Sequence, residues 1–173
     1  KDEGDRYLLS YLPKLRQETF SLGISWKHIS DYHTQTVSAG YNYLNNKSIK
    51  YKENDDSIES NLRLRSSGLE GKATIRFENR SNYGLWIVRE GLESSWRHYD
   101  TRIFRLTQSD IPIDYKSAIG FFMGAVYASA DYRSPDNSLT ASAGLRADIS
   151  SYSSETAKIW KQISPRGSIS YNF

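Results

Sequence analysis

Cysteine is absent from the 173 residues, so neither a disulfide framework nor a thiolate metal site is available. Long apolar runs are absent as well. Nothing approaches the ~18 consecutive apolar residues of a transmembrane helix, which excludes helical membrane spans. Charge of one sign is also lacking. The 23 basic and 20 acidic residues leave a net charge of +3, spread along the chain. That balance is not the clustered basic footprint of a nucleic-acid binder. Histidines are few and scattered: His28, His33 and His98. His28 and His33 flank one short turn, but a three-ligand metal site needs a further partner that the sequence does not identify. Gly-x-Ser-x-Gly, Walker A and Gly-x-Gly-x-x-Gly patterns are missing. An enzyme is therefore not expected, nor is a cofactor. No Met or signal peptide precedes Lys1, so the chain is expected to be a processed product or an excised piece. Its 173 residues suit one domain or one part of a larger one.

What is abundant is aromatic: 13 Tyr, 6 Phe and 4 Trp. Disordered segments are poor in such residues. Tyr and Trp in this number suit a β surface, an interface or a membrane girdle. Trp26, Tyr41, Tyr43, Trp86, Trp96, Trp160, Tyr171 and Phe173 fall near expected strand ends or on apolar faces.

The hydrophobic period is that of strands. In Ser138–Ser150, Leu139, Ala141, Ala143, Leu145, Ala147 and Ile149 alternate with Thr140, Ser142, Gly144, Arg146 and Asp148. Ile163–Phe173 repeats the pattern, with Arg166 on its polar side. Phe20, Leu22, Ile24 and Trp26 alternate with small and polar residues, as do Val37, Ala39, Tyr41 and Tyr43, and then Ala73, Ile75 and Phe77. Tyr83–Trp96 and Ser117–Tyr132 are blurred, with apolar residues on both faces, as bulges or two-sided burial would produce. Arg6–Leu15 is the nearest approach to a helical period, and Pro13 interrupts it. The clear strands run to about 10–13 residues, against a usual length of roughly 5–6. A tilted membrane strand needs about 9–11.

Connections alternate between short and long. Ser30–His33, Arg80–Asn82 and the Ser-Pro-Asp-Asn turn within Arg133–Asn137 are short. Leu44–Leu69, Tyr99–Tyr115 and Ser151–Trp160 are long. Outer-membrane barrels have short periplasmic turns and long extracellular loops. The expected fold is all-β: an antiparallel up-and-down meander of about seven or eight strands, a segment of a transmembrane β-barrel. One such segment accounts for residues 1–173. A count of seven would be odd for a bacterial single-chain barrel and suits a segment of a larger one; two open edges invite pairing with another chain, and the isolated segment is expected to self-associate.

Two stretches carry a family resemblance. Leu139–Asp148, Leu-Thr-Ala-Ser-Ala-Gly-Leu-Arg-Ala-Asp, looks like the "LTLTAGLRYD" strand common in TonB-dependent receptors. Ser164–Tyr171, Ser-Pro-Arg-Gly-Ser-Ile-Ser-Tyr, resembles that family's "SPRLSLSY" strand, in the same order and at similar spacing. Glu18–Gly23 and the loop Tyr41–Tyr51 are similar to such barrels from Bacteroidetes-type bacteria. The resemblance implies a receptor in the bacterial outer membrane, with roughly 22 strands around a plugged lumen. It implies import of a scarce solute, an iron chelate, cobalamin or a glycan, driven by TonB through a plug domain. Nothing in this chain resembles a plug or a TonB box.

Candidate residues follow. Arg146 and Asp148 share the polar face of one strand and Arg166 that of the next. They are candidates for lumen-facing contacts to plug or solute, or for a cross-strand ion-pair ladder. Tyr99, Tyr115 and Tyr152 are assigned to long loops, where they are candidates for stacking on a solute. Glu53-Asn54-Asp55-Asp56 offers oxygen ligands without the spacing of a calcium loop, and reads as a solvated loop. Two alternatives stand beside the transporter. A complete eight-stranded outer-membrane barrel, ending on the aromatic Phe173, would be an adhesin or structural protein. A soluble ligand-binding barrel would gather the apolar faces into one core.

Overall fold

A computed structural model describes residues 12–107 and 109–172. Phe173 and the Arg6–Tyr11 part of the helix-like stretch lie outside them. The described residues form seven strands: β1 (Lys14–Ile29), β2 (His33–Tyr51), β3 (Leu62–Tyr83), β4 (Trp86–Leu106), β5 (Pro112–Arg133), β6 (Leu139–Ser150) and β7 (Ile163–Tyr171). They make one antiparallel sheet in the order β1-β2-β3-β4-β5-β6-β7, a meander in which chain neighbours are sheet neighbours. The sheet is not closed, and β1 and β7 are its edges.

The strands are longer than the hydrophobic pattern marks. β3 and β5 have 22 residues each, because backbone pairing continues after the apolar alternation stops. The connection read as Leu44–Leu69 shrinks to residues 52–61, with 3-10 turns at Lys52–Asn54 and Glu59–Asn61. Glu53 and Asn54 there adopt φ of 53° and 59°. The turn placed at Arg80–Asn82 lies instead at Gly84–Leu85, with β3 running on through Tyr83. Gly84 takes φ of 62°, which an L side chain resists. The β5–β6 turn falls on Ser-Pro-Asp-Asn as the sequence indicates, and Asn137 supplies the positive φ of 60°.

A carboxylate joins the backbone bonds that hold that turn. Asp136 Oδ1 accepts from Ser134 Oγ at 2.5 Å and from the Ser138 amide at 3.2 Å. Those donors hold the Asp136 carboxyl at about 2. A depressed folded-state pKa adds stability that is present above the ordinary carboxylate range and lost as pH falls through the folded value. The turn is therefore expected to loosen between about pH 4 and pH 2. Amide exchange at Ser138 across that window checks this, and Asp136→Asn should flatten the response.

The chain divides into two compact units. Unit 1 takes the described part of Lys1–Ser21 with Asn42–Gly71 and His98–Gly120. Unit 2 takes Leu22–Tyr41, Lys72–Arg97 and the described part of Phe121–Phe173. In unit 2, β6 lies between β5 and β7 in a regular register. Leu145 faces Ala128 and Pro165, and Arg146 faces Tyr127 and Ser164. Side chains alternate across the strand, so Leu145 and Arg146 open onto opposite faces.

The described residues of unit 2 gather no apolar core. Leu22, Ile24, Trp26, Ile75, Leu92, Val126, Leu145 and Ile169 are all exposed, Ile24 by 74% and Ile169 by 79%. Among the described residues only Tyr51, Leu62 and Ala125 are buried hydrophobics. Full burial of a Leu, Ile or Val yields roughly 1.5–3 kcal/mol, and those exposed side chains forgo about half of it or more. The apolar faces do not converge as the soluble barrel requires. Among the described residues no helix is long and apolar enough to cross a membrane, which leaves crossing by strands open.

Candidate functional site

The opposite face of unit 2 is polar, and Tyr127 is its hub. Arg76 and Glu78 sit two apart on β3, hence on one face, and Arg76 Nη2 donates to Glu78 Oε2 at 2.7 Å. Tyr127 belongs to β5, with β4 between. It reaches β3 because β4 carries Gly91 there. A Cβ on Gly91 would lie 2.5 Å from the Tyr127 hydroxyl and 2.6 Å from the Phe77 carbonyl oxygen. Through that gap, Tyr127 OH accepts from Arg76 Nε and Nη2 at 3.2 and 3.0 Å. It donates to Glu78 Oε2 at 2.8 Å.

Arg146 closes the other side. It stands directly opposite Tyr127, with its guanidinium carbon 6.0 Å from the ring centroid, while that of Arg76 lies at 5.6 Å. Arg146 Nε bonds both oxygens of Asp148, at 3.0 and 3.1 Å. The Arg146 and Asp148 side chains remain 37% and 39% exposed. Such pairs contribute about 0–1 kcal/mol; what they supply is fixed placement of donors and acceptors. Arg76, Glu93, Tyr127, Arg146 and Arg166 border a cleft of about 250 Å³. Guanidinium, carboxylate and phenol groups so arranged present hydrogen-bond donors and acceptors to the cleft.

Arg146 and Asp148 thus meet as the sequence indicates, but within one strand. The cross-strand ladder to Arg166 does not form. Arg166 faces Gly144, and Arg146 faces Ser164, so no carboxylate stands opposite either arginine. Arg166 joins none of the ion pairs among the described residues. The loop assignment of two tyrosines is corrected: Tyr99 lies within β4 and Tyr115 within β5. Tyr115 is 54% exposed. Tyr152 does lie in the β6–β7 connection, exposed, edge-on to Phe121 at 5.3 Å. Sequence reading missed Arg76, Glu78, Gly91 and Tyr127. A lone glycine in an otherwise extended segment was the available signal, since it marks close approach of another group.

Unit 1 holds a larger groove, about 820 Å³, with Leu15, Ile49, Phe104 and Leu106 among its apolar lining. Charged residues of its lining are paired: Lys14 with Asp56 at 2.9 Å, Arg65 with Glu59 at 2.8 Å, and Arg102 with Asp114 at 3.9 Å. The acidic run is occupied locally. Asp55 accepts from Ser57 Oγ at 2.6 Å and Asn61 Nδ2 at 2.9 Å, and these donors lower its pKa. Among the described residues no group of three or more His, Cys, Asp or Glu side chains is placed to hold a metal.

Long antiparallel strands in a meander, apolar and exposed on one face and polar on the other, define a segment of a barrel wall. The family follows from the whole chain: a model described as TonB dependent receptor-like, beta-barrel matches residues 1–173, and the protein belongs to that family. Solved structures of similar fold include one described as the copper transporter OprC, with a TM-score of 0.59 at 14% identity. Another is BauA, the ferric preacinetobactin receptor from Acinetobacter baumannii, with a TM-score of 0.52 at 9% identity. Each match covers 90% of this chain, and 26% and 27% of OprC and BauA respectively. The chain thus spans about a quarter of the length of those structures. A search of curated proteins found no match. Receptors of this family reside in the bacterial outer membrane and work with TonB and a plug domain on small-molecule substrates.

Proposed function

We propose that residues 1–173 form part of the wall and the extracellular loops of a TonB-dependent transporter in the bacterial outer membrane. The solute is a scarce one, of the iron chelate, cobalamin or glycan class. The observation that carries this reading is the division of unit 2 into an exposed apolar face and a polar face centred on Tyr127. Lipid accepts the first, and a wet lumen accepts the second. In this arrangement Arg146, Asp148 and Arg166 face the lumen and meet the plug or the passing solute. Tyr99, Tyr115 and Tyr152 are contacts for solute on the long-connection side. The chain carries no covalent chemistry; energy arrives from TonB through the plug. Taken alone, the segment self-associates through the open edges of β1 and β7.

An immunoblot of outer-membrane fractions, boiled and unboiled, tests the reading. The expected result is a heat-modifiable band several-fold larger than 19.9 kDa. A heat-modifiable band near 19.9 kDa would replace the transporter with a small barrel. A band confined to the soluble fraction would remove the membrane altogether.

A further inference from the structure

Unit 2 holds a second polar cluster on the face opposite Tyr127. On β3, Asn79 and Ser81 alternate with Arg76 and Glu78, so they share the face of Ile75 and Phe77. On β4, Glu90 stands between Val88 and Leu92 on the face of Trp86 and Trp96. These side chains meet. Asn79 Nδ2 donates to Glu90 Oε1 at 3.0 Å and to Ser81 Oγ at 3.1 Å. His33 Nδ1 lies 2.9 Å from the same Ser81 oxygen. Asn79 and Ser81 are 9% and 4% exposed.

The cluster is short of donors. Both amide hydrogens of Asn79 are committed, and its buried Oδ1 has no partner. Glu90 is exposed, accepts one hydrogen bond, and joins none of the ion pairs among the described residues. A carboxylate offers about four lone-pair sites, so most of its capacity is open. An unpaired carboxylate within an apolar face is costly if hydrocarbon covers it. Its complement is a compact cation with several N–H donors, and a primary ammonium has about three.

The position selects where that ammonium comes from. The cluster lies close to the Gly84–Leu85 turn, among rings with one polar end. Tyr83 stands edge-on to His33 at 6.1 Å, and Trp86 packs on Tyr132 at 5.0 Å. Tyr and Trp of this kind settle at the level of lipid headgroups. We propose that His33, Asn79, Ser81 and Glu90 form a binding site for the primary ammonium of an ethanolamine phospholipid headgroup. The proposal rests on the membrane reading above.

The test uses the protein expressed from its complete gene and purified in detergent. It is offered equal amounts of phosphatidylethanolamine, phosphatidylcholine and phosphatidylglycerol, and bound lipid is counted by native mass spectrometry. Phosphatidylcholine carries the same positive charge on a bulkier head without N–H donors, so the comparison separates a compact, donating ammonium from charge alone. The expected result is about a tenfold preference for phosphatidylethanolamine over phosphatidylcholine, the scale of a charge-assisted hydrogen bond. Glu90→Gln, which keeps a partner for Asn79, should lose that preference while the protein still migrates as a heat-modifiable barrel. Equal retention of the two lipids by a heat-modifiable barrel would overturn the lipid site alone and leave Glu90 to a protein partner. So would a Glu90→Gln protein with its preference intact. A protein whose migration ignores boiling would overturn the membrane reading, and the lipid site with it.

Discussion

Gly91→Ala is expected to destabilise the sheet by about 3 kcal/mol, at the upper end of what overpacking costs. The added methyl would sit 2.5 Å from the Tyr127 hydroxyl and 2.6 Å from the Phe77 carbonyl oxygen. A tyrosine can swing away from such a contact. A carbonyl inside a paired strand cannot, because moving it breaks the ladder. The two sources separate in a double-mutant cycle. Tyr127→Ala alone should cost about 2 kcal/mol, since it removes hydrogen bonds to the charged Arg76 and Glu78. In that background Gly91→Ala should cost roughly 1 kcal/mol less than in the parent. Urea unfolding of the detergent-solubilised protein measures all four species. An undiminished cost in the Tyr127→Ala background would assign the strain to Phe77 alone and remove Tyr127 from the account of why glycine stands there.

Leu145→Arg carries the other large effect. Leu145 is 54% exposed, so in water the change would cost within about 0.5 kcal/mol, like most surface substitutions. Against lipid, an arginine on the outward face costs about 2–4 kcal/mol near the bilayer centre. Ser170→Arg, on the polar side of β7, should stay within about 0.5 kcal/mol in either setting. Folding yields of the two variants into lipid vesicles, judged by heat-modifiable migration, decide the matter. A selective loss for Leu145→Arg assigns the apolar face to lipid. Equal behaviour would mean that this face meets water or protein, and the transporter reading would lose its main support.

The first of these predictions turns on contacts that a local pattern does not encode, and the second on a face that period two already marks. Alternation at period two is a property of each segment alone. For that reason Leu139–Ile149 and the Ser-Pro-Asp-Asn turn were legible, and so was an antiparallel meander of strands, seven among the described residues. The motif pair Leu139–Asp148 and Ser164–Tyr171 made the family legible too, since sequence motifs survive in the chain whatever it packs against. Strand ends were not legible from hydrophobicity. Tyr99 and Tyr115 lie in segments where the apolar alternation has stopped, yet backbone pairing with the neighbouring strand continues, and that pairing is indifferent to side-chain polarity.

The sequence by itself determined the all-β meander, the two-faced strands and the membership in a barrel family, because each of these is written in local period or motif. Only the tertiary structure decided that Gly91 opens β4 to let Tyr127 reach Arg76 and Glu78, 51 and 49 positions away. It alone also brought His33, Asn79, Ser81 and Glu90 together on the apolar face. Both clusters depend on the register of one strand against the next. Register is a long-range choice, and a slip of one residue would send every one of these side chains to the other face.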